Sequence, residues 1–179
     1  MALCRTQKEE RFYEEVKALD GADYWFLKGF FQRIATKYNS AENFLKKALE
    51  ISPSMQRAKR ELVTALLAQH RYPEALSLAK ENYERDSDNT YHMHAYFRCL
   101  VKKVNINRED IATLKELLDK MENSYSDKKE ELHMAMNIEF QANIKRKSPD
   151  EMLDLIRNAE KNFPSSVNIQ RAAHEYKLK

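Results

Sequence analysis

The chain has 179 residues, 31 Lys and Arg against 28 Asp and Glu, and a formal net charge of +3. That length holds one domain with a sizeable core, and two Gly with four Pro starve β-turns and favour long helices with short links. Charged residues reach 33% while apolar ones hold 42%, which excludes a disordered chain, and the net charge is too mild to argue nucleic-acid binding by itself.

Arg5 to Leu19 reads as a helix with Phe12, Val16 and Leu19 on one face, ended by Asp20-Gly21. It is either the second helix of an earlier, partial repeat or a helix that caps the apolar edge of the first repeat. From Ala22 onward the sequence repeats. Tyr38 and Tyr72 are 34 apart, and so are Ala41 and Ala75, Ile34 and Ala68, Leu45 and Ala79, and Pro53 and Ser87. A fixed period in this range is the mark of a stacked-repeat architecture.

Each unit reads as two helices with a short break. In the first, Trp25, Phe26, Gly29, Phe30 and Ile34 recur at helical spacing, followed by Ala41, Phe44, Leu45, Ala48 and Leu49. Asn39 with Glu42 three residues on predicts a capping box for the second helix, and Pro53 stops it. In the second unit, Leu62, Val63, Leu66 and Leu67 precede a break at His70 to Pro73, and Ala75, Leu76 and Ala79 come after it.

The later chain keeps the logic and loses the signature. Thr90 to Val104 predicts a helix with Met93, Tyr96, Phe97, Leu100 and Val101 inward. Asn107 caps the next, lined by Ile111, Leu114, Leu117, Leu118 and Met121. A longer helix is expected over 129–145, with Leu132, Met136, Phe140 and Ile144 on one side. Ser148-Pro149-Asp150-Glu151 is a helix start, with a Ser cap, Pro at the first position and Glu three residues after the cap. Pro164 lies 77 residues after Ser87, two periods plus nine, so a fourth unit returns displaced by an insertion of nine. A last amphipathic helix spans 167–178.

Trp25, Gly29, Tyr38, Ala41, Ala48 and Pro53 of the first unit, with Tyr72 and Ala75 of the second, closely resemble the tetratricopeptide repeat pattern. The second unit departs from it at Lys59, Val63, Asn82 and Ser87, where Trp, Gly, Ala and Pro are usual. The resemblance implies an all-α fold: about four antiparallel helix pairs stacked into a right-handed superhelix, with flanking cap helices. The expected layout is one domain, with an N-terminal helix at 1–21, repeats at 22–55, 56–89, 90–123 and 124–166, and a C-terminal cap at 167–179.

The resemblance also implies a concave face, lined by the first helix of each pair, that binds other proteins. Carried onto this chain, the first unit offers Phe26, Phe30 and Arg33, the second Arg57, Arg60 and Thr64, and the third Tyr91, His94, Arg98 and Lys102. The fourth offers Asn137, Gln141 and Lys145. Such a groove is basic and edged with aromatics, and Arg pairs with carboxylates and stacks on rings, so an acidic or aromatic peptide suits it. Gly29, Phe30 and Thr64 stand where the family's chaperone-tail clamp needs Lys and Asn, so that ligand is not expected.

No catalytic motif competes with this reading. The histidines at 70, 92, 94, 133 and 174 join no HExxH or paired Cys-x-x-Cys, and two glycines cannot build a phosphate cradle. No metal, cofactor or enzymatic activity is therefore expected. Cys4 and Cys99, far apart, suit a reducing compartment, and with no apolar leader or spanning run the expected location is cytoplasmic. The expected role is a non-enzymatic scaffold or adaptor for a protein or peptide, with a second copy of the chain as another candidate partner. The alternative is the C-terminal recognition or sensor portion of a larger signalling or defence protein. RNA is disfavoured because Glu81, Glu84, Asp86 and Asp88 interrupt the basic residues.

Overall fold

The computed structural model describes residues 11–12, 19, 21–145 and 147–177. Among these, every regular element is helical: α1 (Ala22–Ile34), α2 (Tyr38–Ile51), α3 (Gln56–Ala68), α4 (Tyr72–Arg85), α5 (Thr90–Val101), α6 (Arg108–Glu122), α7 (Lys129–Phe140), α8 (Pro149–Asn162) and α9 (Val167–Lys177). The protein is all-α, with neighbouring helices packed on one another within each compact unit. Most of the expected N-terminal helix lies outside the described residues. Phe12 is described, and its ring stacks on Phe31 with centroids 4.5 Å apart.

The period survives as geometry. Helices α1, α3 and α5 begin at 22, 56 and 90, each 34 residues after the last. Thr36 and His70, also one period apart, both take positive φ, at 61° and 59°. Each closes its helix by the same pair of bonds. The amides of Thr36 and Lys37 donate to the carbonyls of Arg33 and Gln32, and those of His70 and Arg71 donate to Leu67 and Leu66. This is the Schellman ending, which satisfies the last carbonyls and normally favours glycine at the left-handed position. After α5 the spacing lengthens: α7 and α9 begin at 129 and 167, which are 39 and 38 residues on. The extra nine residues are thus divided between two units rather than inserted once. Part of them forms a π-helical turn, Gln141–Lys145, that continues α7 in place of the straight α-helix expected there.

Two compact units result, residues 1–78 and 79–179, with the boundary inside α4. In the first, Gly29 lets α1 approach α2. A Cβ there would lie 2.6 Å from Leu45 Cγ and 3.1 Å from the Ala41 carbonyl oxygen. Ala41, Leu45 and Ala48 are fully buried against it. In the second, Met93, Phe97, Leu114, Leu117 and Met121 fill one core region, and Ile138, Met152, Ile156 and Ile169 another.

Two local expectations are corrected. Asn39 does not cap α2, which begins before it at Tyr38, with Lys37 at the cap and no side-chain bond there. Glu42 is therefore not half of a capping box. It is buried and takes hydrogen bonds from Lys46, Gln69 and Arg71, tying α2 to the α3–α4 turn. Burial would raise its pKa, but those donors hold it at about 2. Ile34, read as part of the apolar face of α1, is exposed, because the Schellman ending turns the last residue of the helix outward. The predicted caps at Asn107 and Ser148 are both formed, and each proves to be a capping box, with Asp110 and Glu151.

Candidate functional site

In the first unit, α1 and α3 bring Phe26, Phe30, Arg33, Arg57, Arg60 and Thr64 onto neighbouring turns. The Phe26 and Phe30 rings stack 6.0 Å apart. The Arg57 guanidinium lies over Phe26, 4.7 Å from the ring centroid, and that of Arg33 lies 5.2 Å from the centroid of Phe30. Each arginine also meets a carboxylate: Arg57 pairs with Asp23, and Arg33 with the buried Glu61. Arg60 stands 3.9 Å from Glu61, and Thr64 donates its hydroxyl back to the Arg60 carbonyl. Arg33, Arg57 and Arg60 thus meet Asp23 and Glu61 on this face.

The stacking holds two guanidinium planes against rings and lowers the entropy cost of using them. The pairs differ in how firmly they are held. Arg57 and Asp23 are each about half exposed, and an exposed pair of this kind is worth only about 0–1 kcal/mol. A ligand carboxylate can replace Asp23 on Arg57 at little cost. Arg33 and Glu61 are largely shielded and act as the fixed base of the face.

In the second unit the remaining positions separate. Tyr91 is exposed at the start of α5, whereas His94 is buried. Arg98 and Lys102, one and two turns further on, meet α7 and α9. Glu139 of α7 lies 3.8 Å from Arg98 and accepts from Arg171 at 2.8 Å, and Lys102 donates to Glu175 at 2.6 Å. Arg171 Nη2 is 3.5 Å from His94 Nε2; since guanidinium only donates, that ring nitrogen is the acceptor. Burial, then the charges of Arg171 and Arg98, push the His94 pKa well below its ordinary value, so it is neutral. Burial likewise lowers the pKa of Arg98. The Arg98 Nε, Arg171 Nε and Glu139 Oε2 atoms are buried with no hydrogen-bond partner. Gln141 donates to Asn137 at 3.0 Å, and Lys145 is exposed in the π-helical turn.

Five residues that complete these two sets escape a sequence reading: Asp23, Glu61, Glu139, Arg171 and Glu175. Two left a trace. Asp23 and Arg57 are one period apart, and Arg171 with Glu175 has the spacing of a helical ion pair. Glu139 left none, since it lies between Ile138 and Phe140 in an apolar run.

Among the described residues, no three His, Cys, Asp or Glu side chains are grouped to hold a metal, and no helix is long and apolar enough to cross a membrane. Cys99 is free and buried, and burial pushes its thiol up to about 12, which removes it as a nucleophile. What the fold defines is a helical-repeat protein. Residues 33–103 match the tetratricopeptide repeat, a repeat that serves generally as a protein-interaction module. No curated protein matches the chain.

Proposed function

We propose that the protein is a non-enzymatic cytoplasmic adaptor that holds an acidic, aromatic-bearing peptide on the face formed by α1 and α3. The observation that carries this reading is the pair of arginines stacked on Phe26 and Phe30, with one of their carboxylate partners, Asp23, exposed and replaceable. An incoming Asp or Glu takes Arg57 bidentately, and an aromatic side chain packs against Phe30 and the Arg33 stem. His94, Arg98 and Lys102 contribute less, because they are engaged with α7 and α9.

The test is a titration of fluorescein-labelled peptides, rich in Asp, Glu and Phe, into the wild type and an Arg57→Glu/Arg60→Glu variant. Wild-type binding that weakens with salt and falls about tenfold or more in the folded variant is the expected outcome. Equal binding by both removes the α1/α3 face from the site.

A further inference from the structure

Of the charges gathered between α5, α7 and α9, Arg98 is the one least well met. Among the described residues it donates no hydrogen bond, and its nearest carboxylate oxygen, Glu139 Oε1, stands 3.8 Å from its Nε. That oxygen already accepts from Arg171 at 2.8 Å. The Arg98 side chain is 13% exposed: its Nε is closed off from water, while its two Nη atoms reach the surface. A shielded guanidinium with no hydrogen bond carries a desolvation cost, and an oxyanion that takes its fork bidentately offsets it.

The surrounding side chains do not meet that need. Lys102 donates to Glu175 at 2.6 Å, and Arg171 donates to Glu139 and Asn168. His94 is neutral, with its Nε2 turned to Arg171. Burial first, and then Arg171, lower the pKa of Arg98 against the opposing pull of Glu139 and Glu175, so its surroundings taken together disfavour the cation.

Two more atoms beside it are buried without a hydrogen-bond partner. Arg171 Nε is a donor, 3.7 Å from Glu175 Oε1, and Glu139 Oε2 is an acceptor. The open positions therefore ask for different things: Arg98 and Arg171 need acceptors, and Glu139 needs a donor. Carboxylates and sulfate offer acceptors alone at neutral pH. Water offers both but brings no charge to Arg98. A phosphate group that keeps one proton offers both and brings the charge.

We propose that the floor between α5, α7 and α9 is a binding site for a protonated phosphate group, with oxygens on Arg98 and Arg171, a hydroxyl donated to Glu139, and Lys102 at the rim. Glu139 is the selecting element, since it sets negative oxygen against negative oxygen when the ligand has no proton to give. The site does not rest on the α1/α3 face, and Glu139 and Arg171 lie outside the matched stretch 33–103.

Thermal melting of the full chain in sodium phosphate, sulfate or chloride, near neutral pH and at equal ionic strength, provides the test. Phosphate is expected to raise the melting temperature in a saturable way, as a ligand of the folded state does, with an apparent affinity about tenfold or more above that of sulfate. In Arg98→Gln the phosphate response falls to that of sulfate, and in Arg57→Glu/Arg60→Glu it is unchanged. A measurement on the wild type covers a failure of Arg98→Gln to fold. Of the five histidines, phosphate shifts the proton resonances of His94, identified by their loss in His94→Leu, and sulfate leaves them in place. Glycerol 2-phosphate, run at about pH 5.5 where a monoester keeps a proton, separates a monoester from the free ion as the source of the group. The proposal is overturned if phosphate acts no better than sulfate, or if Arg98→Gln responds as the wild type does. It is equally overturned if His94 does not respond, or if the melting response is lost only in the double arginine variant.

Discussion

The α1/α3 face and the α5/α7/α9 cluster were built from equivalent repeat positions and became opposite things. On α1 and α3 the arginines lie on rings near the surface, each pair partly open to water. On α5, α7 and α9 they are drawn inside, around Glu139, with His94 neutral among them. The difference lies in what stands opposite. Phe26 and Phe30 offer a flat apolar bed that keeps a guanidinium at the surface, whereas Glu139 attracts two guanidiniums into a pocket with little water. Position in a repeat decides which way a side chain points, and its neighbours decide whether it is available.

The largest expected effect comes from breaking the inner cluster. Glu139→Gln leaves Arg98 and Arg171 buried with less negative charge, and losing one partner of a buried pair costs about 3–5 kcal/mol. Asp23→Asn, its counterpart on the open face, is expected to cost about 0–1 kcal/mol. Thermal melting of the two variants checks the contrast, and equal shifts would erase it.

The packing of the first unit is tested next. Gly29→Ala forces Leu45 and the Ala41 carbonyl away from α1 and is expected to cost about 1–3 kcal/mol, read as a lower melting temperature. An unchanged melting temperature would show that α1 and α2 do not approach this closely.

His94 gives a smaller effect with a defined sign. It is neutral in the fold, while in the unfolded chain it takes up a proton below its ordinary value of 6.5. The unfolded state then binds the extra proton, so stability is full above that pH and falls as pH drops below it, by up to about 1.4 kcal/mol per pH unit. Denaturant melts between pH 7 and pH 5 should show this slope in the wild type and a reduced one in His94→Leu. Identical slopes would mean that burial, with Arg171 and Arg98, does not hold His94 neutral.

The smallest effect is a gain. Thr36 is β-branched and sits at a positive φ that suits glycine, so Thr36→Gly is expected to stabilise the first unit by about 0.5–1 kcal/mol. A lower melting temperature would contradict the left-handed ending.

Much of the fold was legible because repeats leave redundant traces. Tyr38 with Tyr72, Ala41 with Ala75 and the Asn107 and Ser148 caps each mark a boundary by local chemistry, and local chemistry is written in consecutive residues. Asn39 misled because a plausible cap stands inside the first turn of α2 rather than before it, and Glu42, its supposed partner, is claimed by Gln69 and Arg71 from the next helix pair. The lining of the candidate faces was legible only in part. Helical spacing can place Arg33, Arg57, Arg98 and Lys102 on the inner side of their helices, but their partners Glu61, Asp23, Glu139 and Glu175 come from other turns of the stack.

By itself, then, the sequence determined the all-α class, the 34-residue period and most helix ends, since propensity, capping and apolar spacing act over a few residues. The tertiary structure alone decided which charges stay at the surface and which are buried, and how nine extra residues were shared between two units. Those outcomes depend on contacts between residues far apart in the chain, whose energies come from desolvation and from the distance between partners, and neither quantity exists until the helices have packed.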